Sequence, residues 1–539
     1  GDDKRLDVQP WMKVWNPKVV PRFDVRHLVS RRTFVFARAG FGKSNLVKLL
    51  FSNLYSTTPT IEKRGGMLKP IGTIIFDRDG EYFWPDDKGR PGLCDVELLK
   101  DQLVVFTSRE APSKFYQSFV AGDIKLDIRR LRPSDVVSIA LSPEKQDQQN
   151  VRKLKGVGDT AWRELVDEIY QNGNFADPDK INRILGLRAE QEAEMVAARA
   201  NMTTIVRTLH NPSSQMLDML LHSLREGKLC VIDVSQIRGS SAFILSGLIL
   251  QRIFDHNQEE FTKARPETIP TIAVIEEAQS VLGELASSDE GPYVTWVKEG
   301  RKYDLGAVLI TQQPGSISRQ ILSQGDNWFI FHLLSSGDLI SLKKANSHFS
   351  NDLLSSLLNE PIVGNGVFWS SAAGKPYPIS IRALSFEKLY SALDPKYEKS
   401  PGDTYAKSLR TRFEKVASDI GSKLQKQVKE EPVSISGDNS IPSGLDMMQA
   451  ITQLAIESVK KDSSFLQRLK AEGVPWRGVV QQIEDALPNE IEGKNRLAYD
   501  LVRTVLDNVL GEQNKGWKTE RRPSRDGTRN VTWVVATVN

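Results

Sequence analysis

The sequence predicts an α/β fold built on an open, largely parallel sheet, and three observations carry that expectation. Apolar β-type runs at 33–36, 73–76, 103–106, 229–234, 272–276, 307–311 and 328–333 alternate with helix-favouring stretches, as strands joined by crossover helices do. The first run passes directly into a glycine-rich turn that ends in Lys-Ser, Ala37-Arg38-Ala39-Gly40-Phe41-Gly42-Lys43-Ser44. The run Ile272-Ala273-Val274-Ile275 ends in adjacent carboxylates, Glu276 and Glu277. Strands buried on both faces read as unbroken apolar runs, and ligands of such sheets bind beyond the carboxyl ends of the strands.

Taken in order, residues 1–32 form a Pro-, Trp- and basic-rich lead-in. The strand at 33–36 then feeds the glycine turn, and the spacing of Leu46, Val47, Leu49 and Leu50 continues it as a helix. This strand–turn–helix is a P-loop at every position except Ala37, where the pattern has glycine. Its backbone N–H groups and helix dipole converge on one point, which suits phosphate. Arg38, Ala39, Gly40, Phe41, Gly42, Lys43, Ser44 and Asn45 are therefore the expected nucleotide-binding residues. Lys43 would neutralise the β and γ phosphates, and Ser44 would ligate Mg²⁺. ATP and Mg²⁺ are the expected ligands.

The strand at 73–76 is followed by Asp77 and Glu81, which either support the metal from behind its direct ligands or cap the turn. Residues 144–228 are long, charged and helix-favouring, and read as a helical insertion packed on the nucleotide-binding domain. Its basic cluster Arg152, Lys153 and Lys155 is either a DNA-facing surface or, by default, a solvated face. The acidic tip after 272–275 is a Walker B pattern. Glu276 would hold the Mg²⁺ shell, although Asp is usual there, and Glu277 would orient the attacking water. Gln312 ends the strand at 307–311, where a neutral group that both donates and accepts suits a sensor.

Beyond the nucleotide-binding domain, expected over 33–428, the Lys/Glu/Pro/Ser/Gly-rich stretch 429–444 reads as a linker. A small α+β domain is expected over 445–539, with helices followed by a hairpin around Arg525-Asp526-Gly527. Lys515, Lys518, Arg521, Arg522, Arg525 and Arg529 lie on that hairpin. It is either a winged-helix-like DNA-binding module or a small interaction domain whose basic edge discourages strand pairing.

Composition narrows the class without naming the ligand. In 539 residues, 72 Lys and Arg face 68 Asp and Glu, a net charge of +4, so nucleic-acid binding needs a local basic surface. The two cysteines, Cys94 and Cys230, lack metal or disulfide spacing. No apolar run approaches the length of a membrane span and no signal peptide is visible. The expected location is cytoplasmic, with no membrane partner.

Several segments resemble the HerA branch of the FtsK/HerA P-loop motors. Besides the P-loop and the acidic strand tip, these are Ile74-Ile75-Phe76-Asp77-Arg78-Asp79-Gly80-Glu81-Tyr82, Ile124-Lys125-Leu126-Asp127 with Leu131-Arg132-Pro133-Ser134-Asp135, and Glu299-Gly300-Arg301-Lys302-Tyr303 leading into Val308-Leu309-Ile310-Thr311-Gln312-Gln313-Pro314. They span roughly residues 22–385 in family order. The resemblance implies a RecA-like P-loop NTPase core, a hexameric ring, ATP-driven translocation or unwinding of double-stranded DNA, and a nuclease or sirtuin-type effector partner in DNA processing or antiviral defence. It makes Arg301 an arginine finger acting on a neighbouring subunit's γ-phosphate. Arg31 and Arg32 resemble basic residues at the family's subunit interface. Members also carry a small β-barrel before the P-loop, so a missing N-terminal barrel is expected here.

Overall fold

The computed structural model describes residues 25–63, 66–188, 190–237, 239–284, 291–360, 362–371, 377–428, 446–523 and 530–537. The lead-in up to residue 24, the linker 429–444 and the turn residues Arg525, Asp526, Gly527 and Arg529 fall outside them. The described chain divides into two compact units, 1–124 with 219–409 and 125–218 with 410–539.

The first unit holds a 10-stranded sheet. In chain order its strands are β1 (Arg32–Phe36), β4 (Gly72–Asp77), β5 (Leu103–Phe106), β6 (Val120–Gly122), β7 (Leu229–Asp233), β8 (Thr271–Ile275), β9 (Leu305–Thr311), β10 (Asn327–Ile330), β11 (Asn365–Ser370) and β12 (Ile379–Arg382); a small hairpin, β2 (Thr60–Glu62) with β3 (Leu68–Pro70), is separate. The spatial order is β12-β11-β10-β1-β9-β8-β4-β7-β5-β6. All neighbours from β10 to β6 pair in parallel, while β11 and β12 are antiparallel. Every expected apolar run is a strand of this sheet, and its α/β class is the one the sequence predicts. The reason is visible in burial: each residue of β4, β8 and β9 is buried, so the middle of each run is apolar and polar residues such as Asp77 and Thr311 fall at strand ends.

The order matters more for function than the strand count. β9 lies between β1 and β8, so the turns leaving their carboxyl ends emerge side by side. Residues 37–42, 276–279 and 312–313 are thereby gathered at one edge, although they are far apart in sequence.

The second unit contains helices at Gln149–Lys155, Asp159–Asn172, Pro178–Leu185 and Glu192–Leu209 from the insertion, and at Met447–Lys461, Ser463–Ala471, Trp476–Ala486 and Lys494–Leu510 from the C-terminal segment. A three-stranded sheet, β13 (Val474–Pro475), β14 (Trp517–Pro523) and β15 (Asn530–Ala536), is ordered β13-β15-β14. Buried Arg129 holds the two segments of this unit together, with bonds to Asp127 at 2.7 Å, Asp167 at 2.9 Å and Asp446 at 2.7 Å. Asp446 also caps the helix that follows, accepting from the N–H groups of Met448 and Gln449. Removing Arg129 would leave its three carboxylates without a cation, and loss of one partner from a buried pair such as Arg129–Asp127 costs about 3–5 kcal/mol.

Several basic side chains of this unit are already engaged. Arg152 pairs with Asp147 at 3.0 Å. Lys153 donates to the carbonyls of Leu185 and Gly186 at the end of a helix, where cations oppose the dipole. On the hairpin, Lys518 and Arg522 both pair with Glu520, and Lys515 with Glu512. Among the described residues no helix is long and apolar enough to cross a membrane.

Candidate functional site

The P-loop leaves β1 and enters the helix α1 (Lys43–Leu54) through two left-handed glycines, Gly40 at φ 78° and Gly42 at φ 96°. Side-chain-bearing residues pay about 1–2 kcal/mol for that region, so glycine is needed where the loop reverses twice in three residues. Ala37, the departure from the motif, is fully buried and donates its N–H to the Thr311 carbonyl at 3.3 Å. It therefore still extends β1 along β9 and needs no unusual backbone.

The N–H groups of Arg38 and Phe41 are used internally, on the carbonyls of His332 at 2.9 Å and Arg38 at 3.2 Å. The Phe41 ring stacks on His332 with centroids 4.4 Å apart, which fixes the tip of the loop. Gly40, Gly42, Lys43, Ser44 and Asn45 line a cleft of about 880 Å³. The first-turn N–H groups of α1 lack intrahelical partners and point the helix dipole's positive end into it. The Asn45 side chain is committed elsewhere: it donates to the Leu384 carbonyl and accepts from the Phe386 N–H, both at 2.7 Å. Only its backbone N–H remains for a phosphate, while the carboxamide fastens α1 to the 384–386 segment.

Glu276 and Glu277 leave β8 in opposite roles. Glu276 is buried and accepts from the Tyr82 hydroxyl at 2.6 Å and from the Arg78 N–H at 3.4 Å. Burial, reinforced by the charge of Asp77, lifts its carboxyl to about 8. Asp77 is itself pushed up to about 7 by burial, although the N–H groups of Gly80, Glu81 and Tyr82 at 2.7, 3.2 and 3.0 Å oppose the shift. Asp77 thus caps the turn after β4, and Glu81 contributes its backbone to that cap. The Tyr82 hydroxyl thereby orients Glu276, one of the two expected metal ligands, and the Ser44 hydroxyl lies near it. A buried carboxylate pair held by neutral donors, with a serine hydroxyl beside it, suits a hard divalent cation with oxygen ligands. That chemistry fits Mg²⁺ at Ser44 and Glu276.

Glu277 adopts a positive φ of 49°, unusual for a residue with a side chain. Its carboxylate turns toward the P-loop. Gln312 Nε2 donates to Glu277 Oε1 at 3.2 Å, while Gln312 Oε1 accepts from the Ala39 N–H at 3.1 Å. One carboxamide therefore spans from the nucleotide loop to the second acid, which the placement of β9 between β1 and β8 makes possible. Burial lowers the Lys43 ammonium from its usual range, and Glu277 and Glu276 are the charges that oppose this most strongly. Lys43, Glu276 and Glu277 thus share one electrostatic field.

Arg301 is not brought to this cleft. It is exposed, in the short turn Gly300–Tyr303 that precedes β9, whereas Gln312 follows the same strand. The strand has 7 residues, and at about 3.3 Å per residue it separates the two by roughly 20 Å. Arg301 sits instead at the amino-terminal edge of the sheet, where its charge reaches Arg32. There Arg31 and Arg32 both pair with Asp326, at 3.0 and 3.7 Å, and Arg32 donates to the carbonyls of Val297 and Lys298.

Sequence reasoning left several site residues unassigned. Tyr82 is one, and Asp233 with Arg109 is another. Asp233, at the end of β7, is buried and accepts from Arg109 Nε at 2.7 Å and from the Thr107 hydroxyl at 2.6 Å. Arg109 reaches the Gly80 carbonyl at 3.4 Å and lies over the rings of Phe83 and Trp84. A Cβ at Gly80, whose φ is 70°, would stand 2.9 Å from Arg109 Nη2. Because Asp233 pins that guanidinium, it cannot retreat freely. Gly80→Ala should therefore lower the melting temperature, with about 1–2 kcal/mol from the backbone alone, and loosen Mg²⁺-dependent nucleotide binding. Thermal unfolding and nucleotide titration check this; an unchanged melting temperature would mean that Arg109 does not brace the turn.

Residues 16–253 match the family described as helicase HerA, central domain. A probable helicase of Methanocaldococcus jannaschii is 21% identical over 357 residues, covering 62% of this chain and 59% of the relative. A DNA double-strand break repair helicase HerA of Sulfolobus acidocaldarius is 23% identical over 381 residues, covering 68% and 67%. The chain thus spans about three fifths to two thirds of the length of these curated relatives. Among solved structures, VirB4 of Thermoanaerobacter pseudethanolicus aligns with 67% of this chain and 91% of its own, at 15% identity and a TM-score of 0.39.

Proposed function

We propose that this chain, whose residues 16–253 match the helicase HerA central domain, is a HerA-like ATPase of the FtsK/HerA group of P-loop motors that assembles as a ring, a hexamer, and uses ATP hydrolysis to translocate or unwind double-stranded DNA. The observation that carries the reading is the Gln312 carboxamide, bonded at one end to the P-loop and at the other to Glu277. A nucleotide that arrives at the loop is thereby coupled to the acid that would act on water. The names of the curated relatives, helicases and break-repair helicases, support DNA as the substrate.

In this reading the backbone of Gly40 to Asn45 cradles the phosphates and Lys43 neutralises their charge. Ser44 and Glu276 would hold Mg²⁺, which would supply positive charge to the phosphoryl group being transferred. Glu277 holds and polarises the attacking water for in-line displacement. Gln312 reports occupancy from one side of that water to the other. Arg301, at the opposite edge of the sheet, serves the neighbouring subunit's site. An effector partner, a nuclease or a sirtuin-type enzyme, in DNA processing or antiviral defence in the cytoplasm completes the proposal; its support is the kinship alone.

Hydrolysis measured with and without linear duplex DNA tests it. Stimulation of several-fold or more, falling as salt rises because phosphate contacts release counterions, is the expected result. Hydrolysis indifferent to DNA at all salt concentrations would favour an ATPase scaffold that assembles an effector without translocation.

A further inference from the structure

Glu277 is held from a second side, by a side chain that bonds Thr311 of β9 and not the nucleotide loop. Gln279 Nε2 donates to Glu277 Oε2 at 2.5 Å. The other end of that carboxamide accepts from the Thr311 hydroxyl at 2.6 Å, and Thr311 Oγ1 accepts in turn from the Gln313 N–H at 3.0 Å. Thr311 is the last residue of β9, otherwise apolar and buried along its whole length, and is itself fully buried. A buried hydroxyl costs stability unless its bonds are made, and here both are made along one line that ends at Glu277.

We propose that Gln279 and Thr311 are positioning residues for Glu277, forming a clamp that fixes the direction of its carboxylate whether or not nucleotide is bound. The proposal rests on Glu277 being the water-orienting group. Three features argue for the clamp. Glu277 occupies a strained left-handed backbone, a conformation that persists only when its surroundings over-determine it. The clamp is anchored in β9, a central strand that cannot shift without the sheet, whereas the opposing contact from Gln312 also bonds the nucleotide loop at Ala39, where a bound nucleotide would act on it. Both donors are neutral carboxamides, which orient a carboxylate without cancelling its charge as Lys or Arg would.

The test uses the full chain and measures kcat, KM and the affinity for a fluorescent ATP analogue, with thermal unfolding as a check on folding. Gln279→Ala should lower kcat about 10²-fold, the scale of a misplacement near 1 Å, and leave KM and analogue affinity unchanged. Thr311→Val should do the same, Thr311→Ser should restore the rate, and Gln279→Ala with Thr311→Val should be no slower than either alone, because both act through one relay. Losses that multiply, a Thr311→Ser as slow as Thr311→Val, or analogue affinity that falls in step with kcat would overturn the clamp. If Thr311→Val does not fold, the partly exposed Gln279 carries the test by itself. A full-rate Gln279→Ala beside an inactive Glu277→Gln overturns the clamp and spares the assignment of Glu277; an active Glu277→Gln overturns that assignment instead.

Discussion

Glu277→Gln should retain ATP and lose turnover by about 10²–10⁴-fold, the usual worth of a positioned general base, or roughly 3–5 kcal/mol in the barrier. The geometry explains why so conservative a change is so costly. The carboxylate accepts from Gln312 through one oxygen and from Gln279 through the other. A glutamine has one acceptor and one donor end, so one of these contacts becomes donor against donor unless a neighbouring carboxamide flips. Lys43→Ala should fail earlier, at binding, because it deletes the cation that the phosphates meet, one on which Glu277 and Glu276 act electrostatically. Single-turnover hydrolysis and equilibrium nucleotide binding separate the two effects. Near wild-type turnover in Glu277→Gln would remove Glu277 from the chemistry.

Arg301→Ala should be inactive alone by about 10³-fold or more, the scale of an arginine finger, yet regain activity when mixed with Glu277→Gln subunits. A catalytic role at its own subunit's P-loop does not fit the structure, because β9 separates Arg301 from the edge that carries Gln312 and the P-loop. In a ring built from head-to-tail contacts, equal mixing leaves roughly a quarter of the interfaces with an intact Glu277 facing an intact Arg301. Activity at about that fraction, with subunit exchange verified by mass or fluorescence, is the expected outcome. Mixtures that stay inactive despite exchange would assign Arg301 to the Arg31, Arg32 and Asp326 cluster beside it, as a structural group.

Much of the site was legible because its parts are local. The P-loop is a contiguous turn in which each residue type has a backbone or charge requirement. The acidic tip of β8 and the glutamine after β9 are marked by the apolar runs that precede them. The resemblance to HerA motors drew on the same contiguous stretches. Asn45 shows the limit of such reading: it belongs to the motif by position, but its carboxamide is spent on Leu384 and Phe386, 339 and 341 residues away.

What the sequence determined by itself was therefore the set of strands, the glycine turn after β1 and the acids at the tip of β8, since a buried strand and a tight loop each dictate their own residues. Tertiary structure alone decided how these were joined. Tyr82 meets Glu276 across 194 residues and Arg109 meets Asp233 across 124, pairings set by the order β8-β4-β7-β5 and by nothing in either segment. The same order, with β9 between β1 and β8, put Gln312, Gln279 and Thr311 around one carboxylate and left Arg301 at the far edge. A parallel sheet specifies its strands through burial and its neighbours only through the packing of the whole, so chemistry at a strand end is written in the chain while its partners are not.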